Sequence, residues 1–164
     1  MEPNKSWNQD NGLISGLSLV GTVGTGVLND ELKAVNNFET YLNKNRGNMI
    51  PHNLPIHLDM LLEKKGLKRA AVARDSHLDR KYVYKVFDGT ITPSRDKLIA
   101  IAFGLHLSDE ETQTMLKLSE NRELYAKDVR DAIILFSLQR NMNIDETNDL
   151  LFDHGFKLLG NLDN

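Results

Sequence analysis

The chemistry most readily named in this sequence lies in Arg80, Lys81, Tyr84 and Lys85, three cations and a phenol within six residues. If the stretch is helical, Val83 and Val86 face inward onto Val72 and the Ala70–Ala73 segment, which turns those four outward. A short helix with a basic outer face suits the major groove of duplex DNA, which is about as wide as a helix. The surroundings are basic too: Glu63 to Lys97 holds ten Lys/Arg against five acids, net +5, leaving −8 for the rest of a chain whose total is −3. One phosphate-facing surface on an acidic protein would limit non-specific adhesion. By charge alone, a solvated face with surplus lysines fits equally well.

Other candidate sites are weaker. Gly21-Thr-Val-Gly-Thr-Gly26 has the glycine content of a phosphate loop, yet it follows no strand and lacks the Gly-Lys-Ser/Thr ending. His52 and His57 sit near Pro51 and Pro55 without a third ligand at useful spacing, so they read as surface or capping histidines and no metal is expected. Asp128 and Asp131 resemble a carboxylate pair, but acids in a helix's first turn favour the macrodipole without doing chemistry. The chain has no cysteine, which removes disulfides, thiolate metal sites and cysteine nucleophiles. No catalytic constellation remains, so the reading is a protein that is not an enzyme and needs no cofactor.

The elements that position the basic face read as all-α. At 164 residues the chain is long enough for one core with appendages. No apolar run approaches the ~20 residues of a membrane helix, and no signal peptide is recognised, so a cytoplasmic location with no membrane partner is expected. Residues 1–27 read as a flexible arm. Leu28, Leu32, Val35, Phe38 and Leu42 then predict one amphipathic helix after an Asn29 or Asp30 cap, stopping at Gly47, with a linker up to residue 53. From there the spacing predicts helices over 55–65 ending at Gly66, over 68–75, and over 80–87 after an Asp79 cap, with Ser76-His77-Leu78 as connector. Thr92 is the expected cap and Pro93 the first residue of the next helix, which stops at Gly104. Capping boxes at Ser108/Glu111 and Asn143/Glu146 start two more. Between them lies Lys127 to Arg140, whose run Ala132-Ile133-Ile134-Leu135-Phe136 is apolar nearly all round, which predicts a helix that is buried or sits in a dimer interface.

The stretch Gly66 to Ser94 followed by Lys97 to Leu105 resembles the Xre/phage-repressor type of helix-turn-helix. The resemblance rests on Val72-Ala73, on Val83 and Val86, on Gly89 followed by Thr92-Pro93-Ser94, and on the helix ending Phe103-Gly104-Leu105. The whole chain is also similar to small bacterial Xre-type proteins with an arm, a helix ahead of the motif and a segment like Leu124 to Ile134 after it. The resemblance implies a repressor-like five-helix helix-turn-helix core over 54–120, an N-terminal helix and linker over 28–53, and C-terminal helices over 121–164 packed on the core. It also implies that Arg80, Lys81 and Lys85 read base edges and that Arg69 holds a phosphate. Tyr82 and Tyr84 would lie at the groove margins, with Thr90 and Arg95 flanking a backbone-touching loop. The family usually carries small polar residues where Tyr82, Tyr84 and Phe87 stand here, and packing against neighbouring helices is the alternative for the two tyrosines. The implied function is sequence-specific DNA binding by a bacterial or phage transcriptional regulator, with duplex DNA as partner and a homodimer as a candidate state. The alternative is an interaction adaptor whose arm, with glycine-flanked Thr22 and Thr25 as candidate phosphorylation sites, meets a kinase or protein partner.

Overall fold

The structure is a computed structural model that describes residues 23–49 and 53–160. Its regular structure is entirely helical among these residues, with nine α-helices and no strand. The chain divides into two compact units, Met1–His52 and Asn53–Asn164.

The first unit contains α1 (Thr25–Ala34) and α2 (Phe38–Asn45), followed by a 3-10 turn at Arg46–Asn48. The single helix expected from Leu28 to Gly47 is thus two, because the Asn36-Asn37 pair favours capping over a helix interior. Asn37 is extended, and its Oδ1 accepts from the Glu39 and Thr40 N–H groups at 2.9 and 3.3 Å. Glu31 ties the two helices by accepting from Lys44 Nζ (2.9 Å) and Asn45 Nδ2 (2.8 Å), and these bonds hold its carboxyl below the ordinary value. Thr25, Gly26 and Val27, assigned to the arm, belong to α1, where Thr25 is exposed in the first turn. Thr22, the remainder of the arm and residues 50–52 of the linker lie outside the described residues.

The second unit contains α3 (Leu54–Lys65), α4 (Arg69–Ser76), α5 (Arg80–Phe87), α6 (Arg95–Gly104), α7 (Asp109–Leu118), α8 (Val129–Gln139) and α9 (Ile144–Asp153). Local signals account for most boundaries. Asn53 caps α3, Gly66 ends it with φ +64°, and reciprocal capping boxes start α7 and α9. Ser94 rather than Thr92 caps α6: its Oγ accepts from the Lys97 N–H, and Pro93 lies outside the helix. Helix α6 is the central element, with every residue from Leu98 to Gly104 buried, and α3, α4, α5, α7, α8 and α9 all contribute side chains to the same core.

Gly104 is the last residue of α6 rather than a stop beyond it, and it serves close approach. A methyl group there would run into the Val72 carbonyl oxygen and lie 3.0 Å from Ser76 Cβ, so its absence lets α6 lie against the backbone of α4. After α9 the chain returns to the same place: Asn148 brackets the Leu159 backbone with two hydrogen bonds (3.0 and 2.8 Å), and Gly160 rests on His77 at the end of α4.

His57 corrects the surface-or-capping reading of that residue. It lies on the inner face of α3, 6% exposed, and neither ring nitrogen has a hydrogen-bond partner. Burial pushes the imidazole down from its usual 6.5 to about 4, against the pull of the Glu111 carboxylate. The folded state therefore favours the neutral ring. Stability contributed in this way is complete above pH 6.5 and lost as pH falls from 6.5 to 4, a change worth about 3 kcal/mol. Glu111 acts at lower pH: burial opposes its charge, but hydrogen bonds from Lys65 and the Ser108 N–H hold it at about 2, so its contribution disappears between 4.5 and 2. Urea unfolding followed across this range is expected to show the first loss near pH 6. His57→Leu is expected to flatten the curve above pH 4.5, and an unchanged slope in that variant would assign the acid sensitivity elsewhere.

Candidate nucleic-acid interface

Helix α5 is built to show one face. Asp79 caps it by accepting from the Tyr82 N–H (3.1 Å), Val83, Val86 and Phe87 are buried, and Arg80, Lys81 and Lys85 are exposed. At its C-terminal end Gly89 takes φ +76° and the Thr90 N–H donates to the Lys85 carbonyl (2.9 Å), which leaves Thr90 exposed in the loop. The two tyrosines differ in role. Tyr84 lies under the Arg80 guanidinium, 5.4 Å from the ring centre, and its hydroxyl accepts from Arg80 Nη2 and Nε at 3.1 and 3.3 Å. Tyr82 packs against the core, with the Lys97 ammonium 5.7 Å from its ring centre, and burial raises its phenol pKa.

Most of the other cations near this helix are engaged, while Lys68 is exposed with no carboxylate partner among the described residues. Lys64 and Lys65 share Glu111 at 3.3 and 2.8 Å, and Arg74 pairs with Asp75 at 2.8 Å. Arg69 donates to Asp88 at 2.7 Å and to Asp59 at 3.4 Å while its guanidinium lies 5.3 Å from the Phe87 ring centre. Arg69 thus joins α3, α4 and the end of α5, and a phosphate would have to displace two carboxylates to reach it. Arg80, Lys81 and Lys85, by contrast, have no carboxylate within ion-pair distance among the described residues.

Arg95 is also committed elsewhere, in a network that sequence reasoning missed. Its Nη1 and Nη2 grip the Asp131 carboxylate of α8 at 3.1 and 2.8 Å, and it donates to the Arg122 and Glu123 carbonyls at 2.8 and 3.0 Å. Arg130 returns the grip, holding both oxygens of Asp96 at 2.9 and 3.0 Å and the Lys157 carbonyl. The two Arg-Asp dipeptides, 95–96 and 130–131, therefore exchange bidentate pairs between the first turns of α6 and α8. Asp131 is 2% exposed by side chain and also accepts the Tyr125 N–H at 3.1 Å, so it is a buried partner and not merely an acid favouring the macrodipole. Repetition of the dipeptide at two helix starts was the signal available in the sequence.

Among the described residues no three His, Asp or Glu side chains gather as a metal site requires, and no helix is long and apolar enough to cross a membrane. His52 lies outside the described residues. Comparison with protein-family models, curated proteins and solved structures finds no match to this chain.

Proposed function

We propose that this chain is a cytoplasmic, sequence-specific DNA-binding regulator of the Xre helix-turn-helix type, in which α3 to α7 are the repressor-like core and α5 enters the major groove. The observation that carries this reading is the contrast in charge. The neighbouring cations Lys64, Lys65, Arg69, Arg74 and Arg95 are matched by carboxylates, whereas the three on the outer face of α5 are exposed and unmatched among the described residues. A helix with its side chains is about 10–12 Å across, which matches the width of the major groove. Lys81 and Lys85, four apart, lie one above the other on α5, and the Arg80–Tyr84 stack pre-orients a guanidinium at its leading end.

Binding to duplex DNA is expected to weaken steeply with salt. Arg80→Ala, Lys81→Ala and Lys85→Ala are each expected to lower the slope of log K against log salt by about one where the cation meets a phosphate. A cation that reads a base should instead cost about 1–3 kcal/mol, mainly on the preferred site. Titration of labelled random and selected duplexes reads both quantities. Absence of duplex binding by the wild type at low salt, or a triple variant that binds like the wild type, would overturn the proposal. The adaptor reading is favoured by one observation, the internal neutralisation of Arg69 and Arg95, which leaves a smaller basic face than the sequence suggests. It expects no salt-dependent duplex binding.

A further inference from the structure

Helices α8 and α9 repeat α6 and α7 at a spacing of 35 residues. Arg95-Asp96 stands in the first turn of α6 and Arg130-Asp131 in that of α8, and Ser108/Glu111 and Asn143/Glu146 are the two capping boxes. After each box comes a fully buried threonine, Thr112 or Thr147, whose hydroxyl donates to the carbonyl of the capping residue at 2.7 and 2.8 Å. The Gln113 amide then brackets the Leu124 backbone (2.8 and 2.7 Å) as Asn148 brackets Leu159. The left-handed residues correspond as well. His106 and Asn141 lie between the helices of each pair at φ +54°, and Glu120 and Gly155 follow the second helices at +59° and +74°. Arg95 Nε donates to the Arg122 carbonyl and Arg130 Nε to the Lys157 carbonyl, at the same spacing. Few residues are identical between the pairs, so the sequence read alone discloses no repeat: caps and left-handed turns accept several residue types.

The two pairs also meet reciprocally. Arg95 of the first grips Asp131 of the second, and Arg130 of the second grips Asp96 of the first. The helices follow the same rule, with α7 packed on α8 and α9 packed on α6. An exchange in which i meets j and j meets i is isologous, the form of contact that two copies of one structure make about a two-fold axis. We infer that α8–α9 is a second copy of the α6–α7 hairpin, and that the Arg95-Asp96 face of the first is a recognition surface for a hairpin of its own kind, filled within the chain by that copy. The copies differ in exposure where α3 and α4 cover the first. Gly104 lies against α4 whereas its counterpart Gln139 is exposed, and Glu111 holds Lys64 and Lys65 of α3 whereas Glu146 is exposed. Each guanidinium–carboxylate pair is bidentate, so the contact specifies register as well as charge. None of this depends on the DNA-binding reading.

Two measurements on the full chain test the copy and the surface separately. Backbone residual dipolar couplings from residues 95–124 and from residues 130–159 are expected to fit one common hairpin geometry. Couplings that demand two different geometries would overturn the copy. Charge exchange tests the reciprocal surface. A chain carrying Arg95→Asp with Asp96→Arg opposes acid to acid and base to base across the contact, and a chain carrying Arg130→Asp with Asp131→Arg does so from the other side. Each double variant is expected to lose more than about 10 °C in melting temperature, or to fail to fold. The chain with all four substitutions again sets acid against base at both places and is expected to melt above either double variant. A fourfold variant no more stable than the double variants, or double variants that melt like the wild type, would overturn the recognition surface.

Discussion

Asp131→Ala is expected to destabilise the Asn53–Asn164 unit by about 3–5 kcal/mol, the usual cost of leaving one member of a buried ion pair without its partner. The Arg95 side chain is 19% exposed, and it would keep only the Arg122 and Glu123 carbonyls as acceptors while the Tyr125 N–H lost its own. Urea unfolding followed by circular dichroism measures the change. A double-mutant cycle with Arg95→Ala is expected to show strong coupling, since the Arg95 guanidinium donates to both oxygens of the Asp131 carboxylate. Arg69→Ala supplies the contrast. Its partners Asp59 and Asp88 are exposed, so its ion pairs are expected to contribute about 0–1 kcal/mol. Equal losses in Asp131→Ala and Arg69→Ala would contradict the ranking by burial. The same variants separate folding from the proposed DNA binding, because Arg95→Ala is expected to leave its salt slope unchanged wherever the chain remains folded.

Gly104→Ala is expected to be the most damaging single-methyl addition among the described glycines. Alanine is about 1 kcal/mol better than glycine in a helix interior, so an unobstructed site would gain from the change. Here the methyl meets the Val72 carbonyl oxygen, and backbone cannot swing aside as a side chain would. Separating α6 from α4 should cost about 1–3 kcal/mol or more. For a unit of this size each kcal/mol lowers the melting temperature by roughly 4–8 °C. Because α4 and α5 pack together, the displacement should also reach the basic face. Gly47→Ala is the control: a methyl there meets nothing within 4 Å, and its melting temperature is expected to stay near that of the wild type. A Gly104→Ala chain as stable as the wild type would show that the approach of α6 to α4 relaxes at little cost.

The sequence by itself determined the helical class of the Asn53–Asn164 unit and most of its helix ends, because those signals act over three or four residues. Asp79 reaches the Tyr82 N–H, Ser108 and Glu111 satisfy one another, and Gly66 closes α3, all by hydrogen bonds within a single turn. The outward turn of Arg80, Lys81 and Lys85 was legible for the same reason: Val83 and Val86 mark the inner face of a short helix, and the cations occupy what remains. Even at this range competing local signals misled, since Ser94 capped where Thr92 was expected and Asn37 restarted a helix that Leu32, Val35 and Phe38 seemed to continue.

Only the tertiary structure decided which cations remain available. Arg69 and Arg80 are alike in sequence, each an arginine opening a short helix, yet one is drawn to Asp88 and Asp59 and the other meets no carboxylate among the described residues. Arg95 stands next to the loop where a phosphate contact was expected, and its partner Asp131 lies 36 residues away on a helix that the core brings alongside. His57 could equally have faced solvent until α3 settled on the core, and Gly104 could equally have been a terminator until α4 approached it. A local hydrogen bond is specified by the order of a few residues, whereas a buried ion pair, an orphaned imidazole or a methyl-sized gap depends on which helix faces meet. That choice is made by the packing of Leu98 to Leu105 within a core to which six other helices contribute, a collective property.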